Sequence, residues 1–168
     1  MSQLVALSLS IGILGGVATF IFLQFLPSYL IWAAFIAWAC YFAVGGNAEA
    51  LKKTIICNIF GAICAWVAAL LLLSAPSGAV MAGVIVGVTV LILCLAAHVG
   101  ALSTIPASVL GYASVFGFLL GNPSANLTKE ALLSASPRNA LVTVAVSMVI
   151  GAIFGLLSSK MSGAITKP

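Results

Sequence analysis

The chain has 168 residues, 64% of them hydrophobic and 5% charged, with a formal net charge of +4. That balance excludes a water-soluble domain, and the few basic residues are too scattered for a nucleic-acid surface. The length holds a single transmembrane domain, residues 1–168, whose first partner is the lipid bilayer.

Six apolar segments follow one another. The first runs from about Leu4 to Leu26 and stops at Pro27-Ser28. No basic stretch precedes it and it is longer than a signal-peptide core, so it reads as a retained helix. Gly12 and Gly16 are four apart on it, a spacing that lays a flat groove along one helix face. The second segment, about Tyr29 to Val44, is short for a span and ends at Gly45-Gly46-Asn47. Glu49, Lys52 and Lys53 lead into the third, about Thr54 to Ala75.

Beyond the Pro76-Ser77-Gly78 turn, the fourth segment, about Ala79 to Ala97, carries Gly83 and Gly87 and ends near His98. The fifth, about Ile105 to Leu120, has Pro106 in its first turn, where proline is tolerated, and ends at Gly121-Asn122. A polar connection follows, in which TKEALL predicts a short interfacial helix. The sixth segment, about Asn139 to Ser158, leads to a tail with Lys160 and Lys167 that is expected to fray.

The chain repeats itself. A shift of 74 positions lays Ala34, Trp38 and Phe42 on Ser108, Tyr112 and Phe116. A shift of 71 lays Gly12 and Gly16 on Gly83 and Gly87, and one of 90 lays Gly61-Ala62-Ile63 on Gly151-Ala152-Ile153. Ordered recurrence of this kind marks a duplication. With three crossings in each copy, the second must run opposite to the first, the inverted arrangement of many transporters. The expected fold is therefore all-α, six transmembrane helices in two inverted three-helix repeats, about 4–75 and about 79–158. Lys52, Lys53, Lys160 and Lys167 then share one side against Lys129 and Arg138, which predicts both termini in the cytoplasm.

The ending of the second segment, WxxYFAxGG from Trp38 to Gly46, and the later GYASVFGF-LLGN from Gly111 to Asn122 resemble the YcdZ-type family of small bacterial inner-membrane proteins. The resemblance covers essentially the whole chain. It implies the bacterial cytoplasmic (inner) membrane and, the family being a domain of unknown function, supplies no catalytic residue.

For function, the residues predict a channel or transporter for a small neutral or weakly acidic solute, with the path between the two repeats. Trp38 and Phe42 stack on one helix face, as do Tyr112 and Phe116; rings meeting across the pseudo-twofold axis would line that path. Packing against lipid or neighbouring helices is the alternative for these rings. Asn58 and Ser108 would touch the solute, although an amide in hydrocarbon also serves as glue between helices. Gly45, Gly46 and Asn47 would open one mouth, and Gly121 and Asn122 the other, with freed backbone groups facing water. His98, the one histidine, is the candidate titrating gate.

No span carries an acidic residue, a nucleophile with its base, or a metal-ligand set, so no enzyme, metal or cofactor is expected. Cys40, Cys57, Cys64 and Cys94 read as small packing residues. The two glycine-faced helices predict a homo-oligomer. A non-transporting assembly or accessory subunit is the competing reading.

Overall fold

The computed structural model describes residues 2–166. Helix α1, Gln3–Phe25, starts where the Ser2 hydroxyl accepts from the Val5 N–H, and it ends at Leu26, before Pro27. Helix α2, Ile31–Ala43, is only 13 residues, about 20 Å at the α-helical rise. Its end is fixed by glycine: Gly45 and Gly46 hold φ of 125° and 65°, and their N–H groups return to the carbonyls of Phe42 and Tyr41.

Helix α3, Ala48–Ser74, begins earlier than its apolar stretch suggests, because the Asn47 side chain caps it by accepting from the Ala50 N–H at 2.9 Å. Helix α4, Ala79–Leu95, passes into two 3-10 turns, Ala96–His98 and Gly100–Leu102. Helix α5, Ile105–Gly121, precedes two short helices, α6 (Pro123–Asn126) and α7 (Lys129–Leu133). The latter is the short helix expected within TKEALL, capped by Thr128. Helix α8, Ala140–Ile165, is capped by Asn139 and runs past the expected end at Ser158. The tail does not fray there because Ser158 and Ser162 are still buried against the bundle. Lys167 lies outside the described residues.

Four stretches are long and apolar enough to cross a membrane: α1, α3, Ala79–His98 and α8. The apolar helices α2 and α5 are shorter. The main pairings are α2 with α8 and α5 with α3, while α3 and α8 also touch each other. Helix α1 flanks α8 and α4 flanks α3. These two outer helices turn Leu4, Ile13, Phe20 and Leu23, and Val80, Val84, Leu91 and Leu95, outward, the surface that lipid covers.

The beginning of α1 and the end of α8 share one end of the bundle, since Gln3, Leu7, Ser162 and Thr166 line a common cleft. The turn between α2 and α3 and the 3-10 turns before α5 lie at this terminal end as well. The connection through α6 and α7 occupies the opposite, connector end. Charge follows the same division. Glu49, Lys52, Lys53 and Lys160 are at the terminal end; Lys129, Glu130 and Arg138 are at the connector end. The Lys53–Glu49 pair at 2.9 Å and the Arg138–Glu130 pair at 4.0 Å are solvent-facing and contribute little stability.

Backbone contact sets the inner spacing. A Cβ on Gly61 would overlap the Ser108 carbonyl, one on Gly111 the Asn58 carbonyl, and one on Gly151 the Ala34 carbonyl. By contrast, a Cβ on Gly12, Gly16, Gly83 or Gly87 would meet nothing within 4 Å. Those glycines take no part in closing the bundle.

Candidate functional site

The two aromatic stripes do not form one wall. Trp38 is buried in a cluster with Ala18 and Phe154, its ring stacked between Phe35 and Phe154, each 5.6 Å away centre to centre. Its Nε1–H donates to Ser158 Oγ at 3.0 Å. Tyr112 belongs to the other, larger core, with its hydroxyl 2.9 Å from Thr89 Oγ1 and its ring 5.2 Å from that of half-buried Phe116. The pairing of helices is the cause: α2 faces α8 and α5 faces α3, so each stripe meets its neighbours and not the other stripe.

Phe42 does border open space. With Gly45, Gly46, Ser159, Ser162 and Thr166 it lines a cleft of about 620 Å³ at the terminal end. Tyr41 braces this cleft from within: fully buried, its hydroxyl donates to the Gly46 carbonyl at 2.6 Å and lies 3.2 Å from Ser159 Oγ. A second cleft, about 340 Å³, lies at the connector end beyond α5, among Ser28, Phe118, Asn126, Pro137 and Arg138. A third, about 380 Å³, lies among Glu49, Lys52, Lys53, Ile56, Gly100 and Ala101.

The residues expected at the mouths fall in different settings. Gly45 and Gly46 line a cleft, whereas Asn47 is occupied as the α3 cap. Gly121 and Asn122 lie near the connector end without lining its cleft, and Asn122 Oδ1 accepts from the Ser124 hydroxyl at 3.0 Å. His98 is exposed, and its Nδ1 is 2.9 Å from the Leu95 carbonyl; a carbonyl only accepts, so that nitrogen carries the proton.

The interior holds a contrast in polar satisfaction. Along α8, the Thr143 hydroxyl donates to the Pro137 carbonyl, Ser147 donates to the Thr143 carbonyl, and Ser158 donates within its own helix. Ser147 also accepts from the Leu30 N–H at 2.9 Å, and Ser10 donates to the Ser158 carbonyl at 2.6 Å. On α3 and α5 the Ser114 hydroxyl donates to the Leu110 carbonyl, but three side chains break the pattern. Thr54 Oγ1, both polar atoms of the Asn58 amide, and Ser108 Oγ are buried without a partner. The Cys40 thiol of α2 stands beside Thr54 but outside hydrogen-bond geometry, and a thiol is a weak donor in any case. Each such group costs about 1–3 kcal/mol when left unpaired.

The family model described as "Protein of unknown function (DUF1097)" matches residues 8–163. The chain belongs to the DUF1097 family. No curated protein and no solved structure matches it.

In this DUF1097 protein the interior offers hydroxyls, amides and thiols, groups that hydrogen-bond without carrying charge. Cys40 and Cys57 pack with Ala107 where α2, α3 and α5 meet, and Cys57 Sγ is 3.6 Å from the Ala101 carbonyl. Among the described residues no three of His, Cys, Asp and Glu come together as metal ligands. The backbones of Asn58 and Ser108 meet Gly111 and Gly61, respectively, across the α3–α5 contact. Sequence reasoning missed Thr54, one turn before Asn58 on the same helix face. It also missed Tyr41, although the Tyr41-Phe42 pair lies inside WxxYFAxGG.

Proposed function

We propose that this membrane protein is a conduit for a small neutral or weakly acidic solute, built as two inverted three-helix repeats that cross the membrane six times. One observation carries this reading: the short helices α2 and α5 each end beside a cleft, and the two clefts lie at opposite ends of the bundle. A helix too short to span by itself, with irregular backbone beyond it, is what a path entering from both sides requires. The packing supports the repeat. The α2–α8 pair answers α5–α3, and the Ala34–Gly151 contact answers Ser108–Gly61, each residue related to its counterpart by the shifts of 74 and 90.

In this reading Phe42, Gly45 and Gly46 form the vestibule at the terminal end, and Asn58 and Ser108 are polar contacts on the way through. Trp38, Tyr112 and Phe116 act behind the path by holding helices in place. The membrane is the bacterial cytoplasmic membrane with both termini inside, as the family resemblance and the lysine distribution suggest. We read the protein as neither an enzyme nor a cofactor carrier.

The outward glycines favour a second reading, an assembly or accessory subunit, because they are free to meet another helix. Stopped-flow light scattering on reconstituted liposomes tests the choice. The conduit reading expects faster entry of a small neutral solute than in protein-free liposomes, and a change in that rate on Phe42→Ala. Equal rates with and without protein, across urea, acetamide, glycerol, formate and acetate, leave the subunit reading.

A further inference from the structure

We propose that Thr54, Asn58 and Ser108 form a binding site for a small neutral carboxamide or urea. The location within a path rests on the conduit reading; the recognition chemistry does not.

Asn58 and Ser108 are 1% exposed and Thr54 is fully buried, yet none of their side-chain polar atoms has a hydrogen-bond partner. Buried polar groups are nearly always paired, so exceptions call for an explanation. This fold is able to pair such groups. Thr143, Ser147 and Ser158 find partners in the α2–α8 half, built from the same helix arrangement. The unpaired set is confined to the α3–α5 half, where α2 also approaches through Cys40.

The chemistry of the set selects the ligand. Asn58 offers an acceptor and two donors in one plane, and the two hydroxyls can give or accept. A planar amide presents its own carbonyl and N–H side by side, so it closes two hydrogen bonds on Asn58 and leaves its other polar edge to the hydroxyls. A carboxylate presents acceptors only, and the site has no cation to balance its charge. A polyol lacks the matching plane. Gly61 and Gly111 bring α5 hard against α3 here, so only a small occupant can be admitted. The cleft of Lys53, Ile56 and Ala101 is lined by chain neighbours of Thr54 and Asn58 on α3, and Cys57 Sγ is 3.6 Å from the Ala101 carbonyl on its wall. The 3-10 turns that carry Ala101 are the wall that must shift to admit a ligand.

Side-chain amide NMR of protein labelled with ¹⁵N-asparagine, in lipid nanodiscs, tests the site with internal controls. Acetamide and urea are expected to shift the Asn58 resonance saturably, while Asn47, Asn122, Asn126 and Asn139 stay in place. Glycerol and acetate leave Asn58 unmoved. Thr54→Val and Ser108→Ala weaken acetamide binding by roughly tenfold each, the value of one hydrogen bond, and do not lower the Tm. The site is overturned if Asn58 does not respond, if all five asparagines move together, or if glycerol or acetate acts equally. It is also overturned if Thr54→Val lowers the Tm and leaves binding unchanged, the mark of a structural hydroxyl. Saturable binding in a protein without liposome flux defeats the conduit and keeps the site; flux without an Asn58 response does the reverse.

Discussion

Gly151 of α8 lies directly against the backbone carbonyl of Ala34 on α2, with no room for a Cβ between them. Gly61 stands in the same relation to Ser108. The obstacle is main chain in both cases, so an added methyl cannot be relieved by a side-chain rotation. Gly151→Ala and Gly61→Ala should each destabilise the protein by about 2 kcal/mol or more, within the range for overpacked cores. Gly12→Ala and Gly83→Ala, whose new methyl meets nothing within 4 Å in the protomer, should not overpack the bundle and should lower the Tm far less than the inner pair. Thermal unfolding in mild detergent compares the four, and a Gly151→Ala protein as stable as Gly83→Ala would contradict the packing.

The two repeat-related rings are expected to behave as structural residues. Trp38→Phe removes the 3.0 Å bond to Ser158 and keeps the ring stack, a loss of about 1 kcal/mol. Trp38→Ala also removes the stack with Phe35 and Phe154 and should cost about 3–5 kcal/mol. A double-mutant cycle of Trp38→Phe with Ser158→Ala should return a coupling of the size of that bond. Absence of coupling would mean that the indole N–H is not held by Ser158.

Much of this fold was legible because membrane helices declare themselves through long apolar runs. The order of Gly12, Trp38 and Gly61 against Gly83, Tyr112 and Gly151 is the sequence pattern on which the proposed repetition rests. The helix ends were less legible. Thr54 looked like the start of α3 because charge precedes it, whereas the Asn47 cap and the Glu49–Lys53 pair carry the helix through that polar turn. The site was readable in its residue types and not in its geometry. Asn58 stands out in any apolar stretch, but sequence spacing reports the face of one helix and says nothing of which helix covers it. That is why Trp38 and Tyr112 were paired with each other when α8 and α4 in fact receive them.

The outward glycines make a separate prediction about assembly. Gly12 and Gly16 on α1, and Gly83 and Gly87 on α4, face away from the bundle, where close approach of a second copy's backbone would bury them. Native mass spectrometry from mild detergent should show a homo-oligomer. Gly83→Ile with Gly87→Ile should shift it to monomer without loss of helical circular dichroism. A monomer in the unaltered protein, or an oligomer indifferent to both glycine pairs, assigns these faces to lipid alone.

Topology can be read by placing thiols at the two ends. In a background with Cys40, Cys57, Cys64 and Cys94 replaced by alanine, Lys52→Cys and Lys160→Cys mark the terminal end, and Lys129→Cys and Arg138→Cys the connector end. All four positions are exposed, so reactivity depends on the side reached and not on burial. The proposed orientation keeps Lys52, Lys53 and Lys160 in the cytoplasm. A membrane-impermeant maleimide added to intact spheroplasts should therefore label the connector-end pair only, and the terminal-end pair only after permeabilisation. The separation of Lys52 from Lys129 carries the most weight, because between them lie α3, α4 and the short α5. Three crossings put these residues on opposite faces, whereas a short α5 that failed to cross would put them on the same one. Labelling of Lys52→Cys and Lys129→Cys from one side would reduce α5 to a buried helix that does not span, and with it remove the inverted pairing of the two halves.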